Sequence, residues 1–354
     1  MGSCLDNLRI NIEEENRWNN MLLGAKNASY RACLHYEYHR RPELKQPETF
    51  IFTKKRIDIA GAHYTLKSGI NGLIKTGDIN SGIIINDYFE IQDLKVILEH
   101  FISWAKDKNV SYVRINPWLP AKIDEKKTSY FEEFSNLFQE TGFECINNGR
   151  NTYWIDLTSN EDQLLNQMRR KTRYDVRKGM KSGIKINEIQ HADENIISKF
   201  WDFYNILGNK KFFNTLSESR FKNELRILLN SGFASLFVAE YNNEIINISM
   251  ASRKGIASYM YGAINPDLTS SINCPPPGHF VQWSMIKTMK NYGLKIYDLG
   301  FCPENIPAKE HPEFNIWHFK YGFGGKFVQF MPNYGKIIKP VRGKIFHYLR
   351  KEFD

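Results

Sequence analysis

The sequence predicts a mixed α/β protein built as two tandem copies of one unit. Three observations carry that expectation. Apolar residues recur at helical spacing in some segments and at strand spacing in others, with glycine or polar breaks between them. The stretch Leu98 to Pro117 reads as a helix, a polar turn at Lys106-Asp107-Lys108-Asn109 and a strand, and Trp283 to Gly300 repeats it with Lys290-Asn291-Tyr292-Gly293 as the turn. The length of 354 residues suits about two domains, each large enough for its own core. We expect the first domain over residues 1–155, the second over 156–335, and a basic C-terminal segment over 336–354.

In order, Trp18 to Leu23 reads as a short helix. Phe50-Ile51-Phe52 and Ile57-Asp58-Ile59 read as strands around a turn at Lys54-Lys55-Arg56, and Gly82 to Ile85 as a buried strand. Leu94, Ile97, Leu98, Phe101, Ile102 and Ala105 fall on one helical face, and Ser111 to Pro117 returns as a strand. A helix over Tyr130 to Glu140 closes at Thr141-Gly142, and strands follow near Phe143 to Ile146 and Thr152 to Leu157. One long helix is then expected from Ser159 or Asn160 to about Lys181. Leu164, Leu165, Met168, Thr172, Val176 and Met180 share one of its faces, and Arg170, Arg173, Tyr174, Arg177 and Lys181 the other. Ile184 to Asn187 is a strand. Helices near Ile196 to Leu207 and Ser217 to Leu229 flank a basic, aromatic loop, Gly208-Asn209-Lys210-Lys211-Phe212-Phe213. Strands over Ala234 to Glu240, Glu244 to Ser252 and Ile256 to Ala263 complete the run, the first two joined at Asn242-Asn243. At period two, Tyr259 and Tyr261 are expected on one face, lining a site or packing.

The net charge of +9 favours an anionic partner: nucleic acid, a phosphorylated small molecule or a lipid headgroup surface. Five scattered cysteines without a Cys-x-x-Cys pair argue against a disulfide framework and suit a reducing cytosol. The start, Met1 to Asp6, has no apolar signal region, and no apolar run approaches the roughly 20 residues of a membrane span. A soluble, cytoplasmic chain is expected. The cluster Cys33, His35 and His39 lacks a second pair of ligands in register, so no metal is expected. No phosphate loop, nucleophile elbow or dinucleotide fingerprint is present, and no cofactor is predicted.

Two segments carry candidate chemistry. The basic helix face suits either solvent or an anionic ligand; past Asp162 the only acid before Glu188 is Asp175, and repeated positive charge is costly without a counter-ion. Near the end, His318-Phe319-Lys320-Tyr321-Gly322-Phe323-Gly324-Gly325 places one lysine among aromatics before glycines. Lys320 could serve a developing negative charge, or the run could be an edge strand with a snorkelling lysine and a structural turn.

Taken together, Arg169 to Gly179, Gly183 to Ile186, Gln282-Trp283, Lys287, Tyr292-Gly293, Tyr297-Asp298-Leu299-Gly300 and Phe319-Lys320 with Gly322 to Gly325 resemble the Fem family of aminoacyl-tRNA-dependent peptidyltransferases. The resemblance covers about residues 150 to 335. It implies two tandem acetyltransferase-like (GNAT) domains without the coiled-coil arm. It also implies transfer of an amino acid from aminoacyl-tRNA to an amine on a peptide or cell-wall precursor. On the family's pattern Lys320 stabilises the carbonyl oxyanion. The paired tyrosines Tyr259 and Tyr261 then contact the acceptor, and Asp298 is either a structural carboxylate or a substrate contact. Lys210 and Lys211 of the basic loop, with Asn116, are further candidate substrate-binding residues. Arg170, Arg173, Arg177 and Lys181 meet tRNA or acceptor phosphates. The family often carries Asp-Pro at the end of the first domain's strand, whereas this chain reads Asn116-Pro117, and Asn116 hydrogen-bonds but cannot act as an anion.

An acyl-CoA-dependent N-acyltransferase is the nearest alternative, because the implied fold is shared. Such enzymes hold pyrophosphate on backbone N–H groups at a helix N-terminus, where this chain has Asn273-Cys274-Pro275-Pro276-Pro277-Gly278. Three prolines supply no donors, which weakens that cradle. A non-catalytic RNA- or membrane-binding protein on the same scaffold is the third reading. The C-terminal mixture of Ile337, Ile338, Val341, Ile345, Phe346 and Leu349 with Lys339, Arg342, Lys344 and Arg350 either contacts anionic lipid or docks on its own domain. The sequence does not fix the oligomeric state.

Overall fold

The computed structural model describes residues 5–39, 45–69, 73–211, 214–271 and 274–351. The chain divides into two compact units, Met1–Arg150 with Val328–Asp354, and Asn151–Phe327. The first begins with β1 (Asp6–Ile10), α1 (Glu15–Leu23), α2 (Leu34–His39), β2 (Glu48–Lys54), β3 (Ile57–Gly69), β4 (Ile74–Ile79) and β5 (Ile84–Ile85). It continues with α3 (Ile91–Asp107), β6 (Tyr112–Ile115), β7 (Pro120–Ile123), β8 (Lys126–Lys127), α4 (Phe131–Glu140) and β9 (Glu144–Asn147). Strands β1 to β4 pair antiparallel in order, and Lys55 and Arg56 take positive φ in the tight turn between β2 and β3. Then β4 pairs parallel with β6 across α3, whose Leu94, Ile97, Leu98, Phe101 and Ala105 are all fully buried. Within the sheet, fully buried Asp78 of β4 accepts from Arg114 Nε (2.8 Å) and Nη2 (2.9 Å) of β6 and from Lys67 Nζ of β3.

The second unit runs β10 (Asn151–Asp156), α5 (Glu161–Gln167), α6 (Arg170–Met180), β11 (Lys185–Ile189), α7 (Glu194–Lys211) and α8 (Glu218–Asn230). Next come β12 (Ala234–Tyr241), β13 (Glu244–Ser252), β14 (Ala257–Ile264), α9 (Pro266–Ser271), α10 (Gly278–Asn291), β15 (Ile296–Cys302) and α11 (Phe314–Tyr321). Its strand order is β11-β12-β13-β14-β15-β10, with β14 and β15 parallel across α10. This repeats the β4-α3-β6 arrangement of the first unit, as the internal echo predicts.

Four expectations are corrected here. The long helix from residue 159 is two helices: Met168 and Arg169 are extended, and Arg169 N donates to Gly322 O at 2.9 Å. Met180, expected on the buried face, is exposed. Helix α7 reaches Lys211, so the basic loop is mostly helix; Phe212, Phe213 and Asn273 lie outside the described residues, as does the side chain of Lys211. Finally, residues from 328 onward belong to the first unit. Val328 to Phe330 of β16 (Lys326–Phe330) pair with β7, and β17 (Asn333–Ile337) inserts between β6 and β9. Helix α12 (Pro340–Lys351) packs on β4, β6 and β17, with Phe346 against Tyr112 at 5.3 Å between ring centres. Residues 336–351 are therefore no separate segment, because a sheet strand leads directly into the helix that covers it.

Candidate active site

In the second unit the parallel pairing of β14 with β15 holds at Ala257 with Tyr297 and Ser258 with Asp298. Beyond these pairs each strand is deflected. On β14, Met250 and Ala251 of β13 face Tyr261 and Tyr259, so Met260 is an extra, bulged residue. On β15, Gly300 takes φ +77°, a conformation that favours glycine.

Asp298 shapes the turn at Gly300. Its Oδ1 accepts from Gly300 N (2.7 Å) and from the Thr152 hydroxyl, whose oxygen also lies 2.8 Å from Gly300 O. Burial raises its pKa, and those donors with the charge of Lys320 hold the rise back. The carboxylate is thus committed to the fold of the turn and supplies a counter-charge to Lys320.

Lys320 enters from α11, a helix and not the edge strand that was one sequence reading. It is 8% exposed, and its Nζ donates to Phe301 O at 2.6 Å. Burial lowers its pKa to about 8, against the pull of Asp298 and Cys302, so the amine is still mostly protonated at neutral pH. A Cβ on Gly300 would stand 3.4 Å from this Nζ and 3.2 Å from Tyr259 O. The cation therefore faces the place where the two strands part.

The glycines after Lys320 serve packing within the chain. A Cβ on Gly322 would lie 2.3 Å from Thr172 Oγ1, one on Gly324 2.0 Å from Gln167 O, and one on Gly325 2.6 Å from Trp154 O. They dock the end of α11 on α5, α6 and β10, which fixes the lysine. Phe319 and Phe323 hold the His279 ring at 4.9 and 5.8 Å between centres, and burial lowers the His279 pKa.

The two tyrosines do not share a face. The bulge at Met260 turns Tyr259 toward α10, where it borders a cavity with Gln282 and Phe319. Tyr261 points the other way, its hydroxyl 3.2 Å from Glu224 Oε2 and its ring against Tyr204 and Phe221. That pattern is packing, so Tyr261 does not join Lys320.

On α6 the buried face is Thr172, Val176 and Gly179, and Gly179 lies directly under Phe280 of α10. Among the described residues Arg170, Arg177 and Lys181 are exposed and have no ion-pair partner, whereas Arg173 donates to Asn166 O at 3.1 Å. Arg169, Arg170, Lys171 and exposed Tyr174 line an open hollow. Tyr174 and Arg169 were not singled out as site residues, because a tyrosine on a charged helix face carries no signal of its own. Lys210 is paired with Asp267 at 2.7 Å on the surface. In the first unit Asn116 spends its side-chain oxygen on Trp118 N (3.1 Å), supporting a turn in which Trp118 has φ +54°. Cys33 is buried, and His35 Nε2 lies 3.0 Å from Glu15 Oε2.

These features can be set beside known proteins. The model of the FemAB family matches residues 35–245. The Lipid II:glycine glycyltransferase of Staphylococcus aureus is 22% identical over 319 aligned positions, covering 70% of this chain and 73% of that protein. A crystal structure of FemX superposes with a TM-score of 0.82 at 17% identity, over 97% of this chain and 99% of that one. A tandem GNAT protein from the clavulanic acid biosynthesis pathway superposes with a TM-score of 0.52 at 8% identity, over 95% and 99%. The fold is that of tandem GNAT-like units, and with the family model matching more than half its length the chain belongs to the FemAB family.

Proposed function

We propose that this amide-bond-forming transferase moves an amino acid from aminoacyl-tRNA to an amine of a peptidoglycan precursor or a related peptide in the cytoplasm. The observation that carries the reading is Lys320, a buried and largely protonated amine aimed at the parting of β14 and β15. The acceptor amine attacks the ester carbonyl, a C–N bond forms, and the carbonyl oxygen becomes an anion. Lys320 stabilises that charge in a site of low dielectric. The C–O bond to the ribose then breaks, and the leaving oxygen takes up the proton that the amine loses. Arg170, Arg177 and Lys181, without internal partners among the described residues, meet the phosphates of the tRNA. Support for a cell-wall acceptor comes from the named activity of the Staphylococcus relative.

No other donor is favoured by a specific observation. The α10 N-terminus that an acyl-CoA would use is capped by buried Pro277, and Phe319 reaches within 3.8 Å of where a Cβ on Gly278 would stand. The test is transfer of radiolabelled amino acids from total charged tRNA to a peptidoglycan-precursor extract, with and without ribonuclease. Product that disappears with ribonuclease is expected. Ribonuclease-resistant product, or heat released on mixing with acetyl-CoA and none with charged tRNA, would replace this reading by the acyl-CoA one.

A further inference from the structure

A cavity of about 170 Å³ lies within the second unit, with Phe319, the residue before Lys320, in its wall. An apolar cavity of about 150 Å³ admits a benzene ring, so this one has room for a side chain of comparable size. Leu207, Ile264, Val281, Met285 and Phe319 supply apolar wall, and no charged residue among the described ones lines it. Its polar edge is buried Asn247, Ser249 and Gln282 together with Tyr259, and Gln282 Nε2 donates to the Tyr297 hydroxyl at 2.7 Å. Asn247 and Ser249 satisfy each other (2.9 Å), and Asn247 Nδ2 donates to Ala263 O (3.0 Å). The Tyr259 hydroxyl has no partner among the described residues, and it occupies space that Gly262 leaves by lacking a Cβ, 2.1 Å from where that atom would be.

Position relates the cavity to the reacting centre. Tyr259 places its backbone oxygen 3.2 Å from where a Cβ on Gly300 would stand, a point that lies 3.4 Å from Lys320 Nζ, and it contributes to the cavity wall. Phe319, the neighbour of Lys320 on α11, forms another part of the wall. Tyr259 and Phe319 thus border both the cavity and the surroundings of Lys320, and this shared border is what relates an acyl group held at Lys320 to the space.

We propose that the cavity receives the side chain of the transferred amino acid, and that this chain carries an uncharged, mainly apolar amino acid larger than alanine. The inference rests on the aminoacyl-tRNA reading above. A glycyl group would leave the space unfilled, and a lysyl or glutamyl group would bury a charge with no partner.

Acceptor-stem RNA hairpins ending in 3′-amide-linked glycine, leucine, phenylalanine or lysine serve as stable probes, with binding to the full chain measured by calorimetry. Leucyl or phenylalanyl hairpins are expected to bind roughly tenfold or more tightly than the glycyl one, and lysyl no more tightly than glycyl. Gly262→Ala drives the Tyr259 hydroxyl into the cavity and Ser249→Val fills it from the neighbouring strand. In each, the leucyl-to-glycyl ratio should fall toward one, with thermal melts confirming a folded protein. Equal binding of glycyl and leucyl hairpins, a lysyl preference, or an unchanged ratio in both folded variants would overturn the side-chain pocket while leaving the tRNA donor in place. Failure of every hairpin to bind would instead overturn the donor reading, and this inference with it.

Discussion

Lys320 is held where its charge is costly. The fall of its pKa from 10.5 to about 8 corresponds to about 3 kcal/mol against the protonated amine in the folded chain. Between pH 8 and 10.5 the unfolded chain binds a proton at this residue that the folded chain does not, so its cost to stability fades as pH rises through that window. Lys320→Met removes the cost at pH 7 along with one hydrogen bond, and its melting temperature should be no lower than that of the parent. A clear drop would mean that the amine serves the fold. In catalysis the sign reverses, since the protonated form is the active one. Turnover should decline above about pH 8 in the parent, and a rate profile of the Met variant should lack that decline. The lysine itself was legible from its motif. Its helical setting was not, because Phe-Lys-Tyr suits a strand by local preference and a helix only through docking on α6. The Tyr259 and Tyr261 pair misled for a related reason: one bulged residue reverses a face, and nothing in the local sequence marks it.

At the scale of elements, the site is a set of interruptions. The break at Met168 and Arg169, the bulge at Met260 and the left-handed Gly300 each bend a regular element, and the first two were invisible to periodicity. Met168 stays buried through the break, so its apolar spacing reads as a continuous helix although the backbone has turned to bond Gly322. Gly324→Ala tests the docking of α11. With φ +73° and Gln167 O only 2.0 Å from the added Cβ, it should destabilise the fold by about 2 kcal/mol or more and lower turnover, read by denaturant titration and assay. A second element-scale test concerns Asp78 on β4 of the first unit's sheet. Asp78→Asn leaves Arg114 and Lys67 with a neutral partner and should cost about 3 kcal/mol in chemical unfolding. Arg114 and Lys67 keep the Asp78 carboxyl ionised below its ordinary pKa despite burial. The stability it contributes is present above about pH 4 and is lost as pH falls further.

For the whole molecule, the internal echo of helix and strand was readable because both copies keep the same apolar spacing and turn chemistry. The path of the C-terminus was not, since a strand inserted between β6 and β9 answers to partners 186 to 225 residues away. Removing residues 333–354 should therefore unfold the first unit, seen as loss of a cooperative thermal transition. On α12, Val341 and Ile345 are exposed next to Arg342 and Lys344, and we propose contact there with an anionic membrane carrying the acceptor. Co-sedimentation with phosphatidylglycerol vesicles that weakens with salt is expected, and none with neutral vesicles. The central claim is the role of Lys320 at an aminoacyl ester. Its most direct measurement is the single-turnover rate of Lys320→Met with charged tRNA and acceptor, beside the affinity for the same tRNA. A rate reduced about 100-fold or more with affinity within about threefold is predicted. A variant that keeps the parent's rate, or loses only affinity, would contradict it.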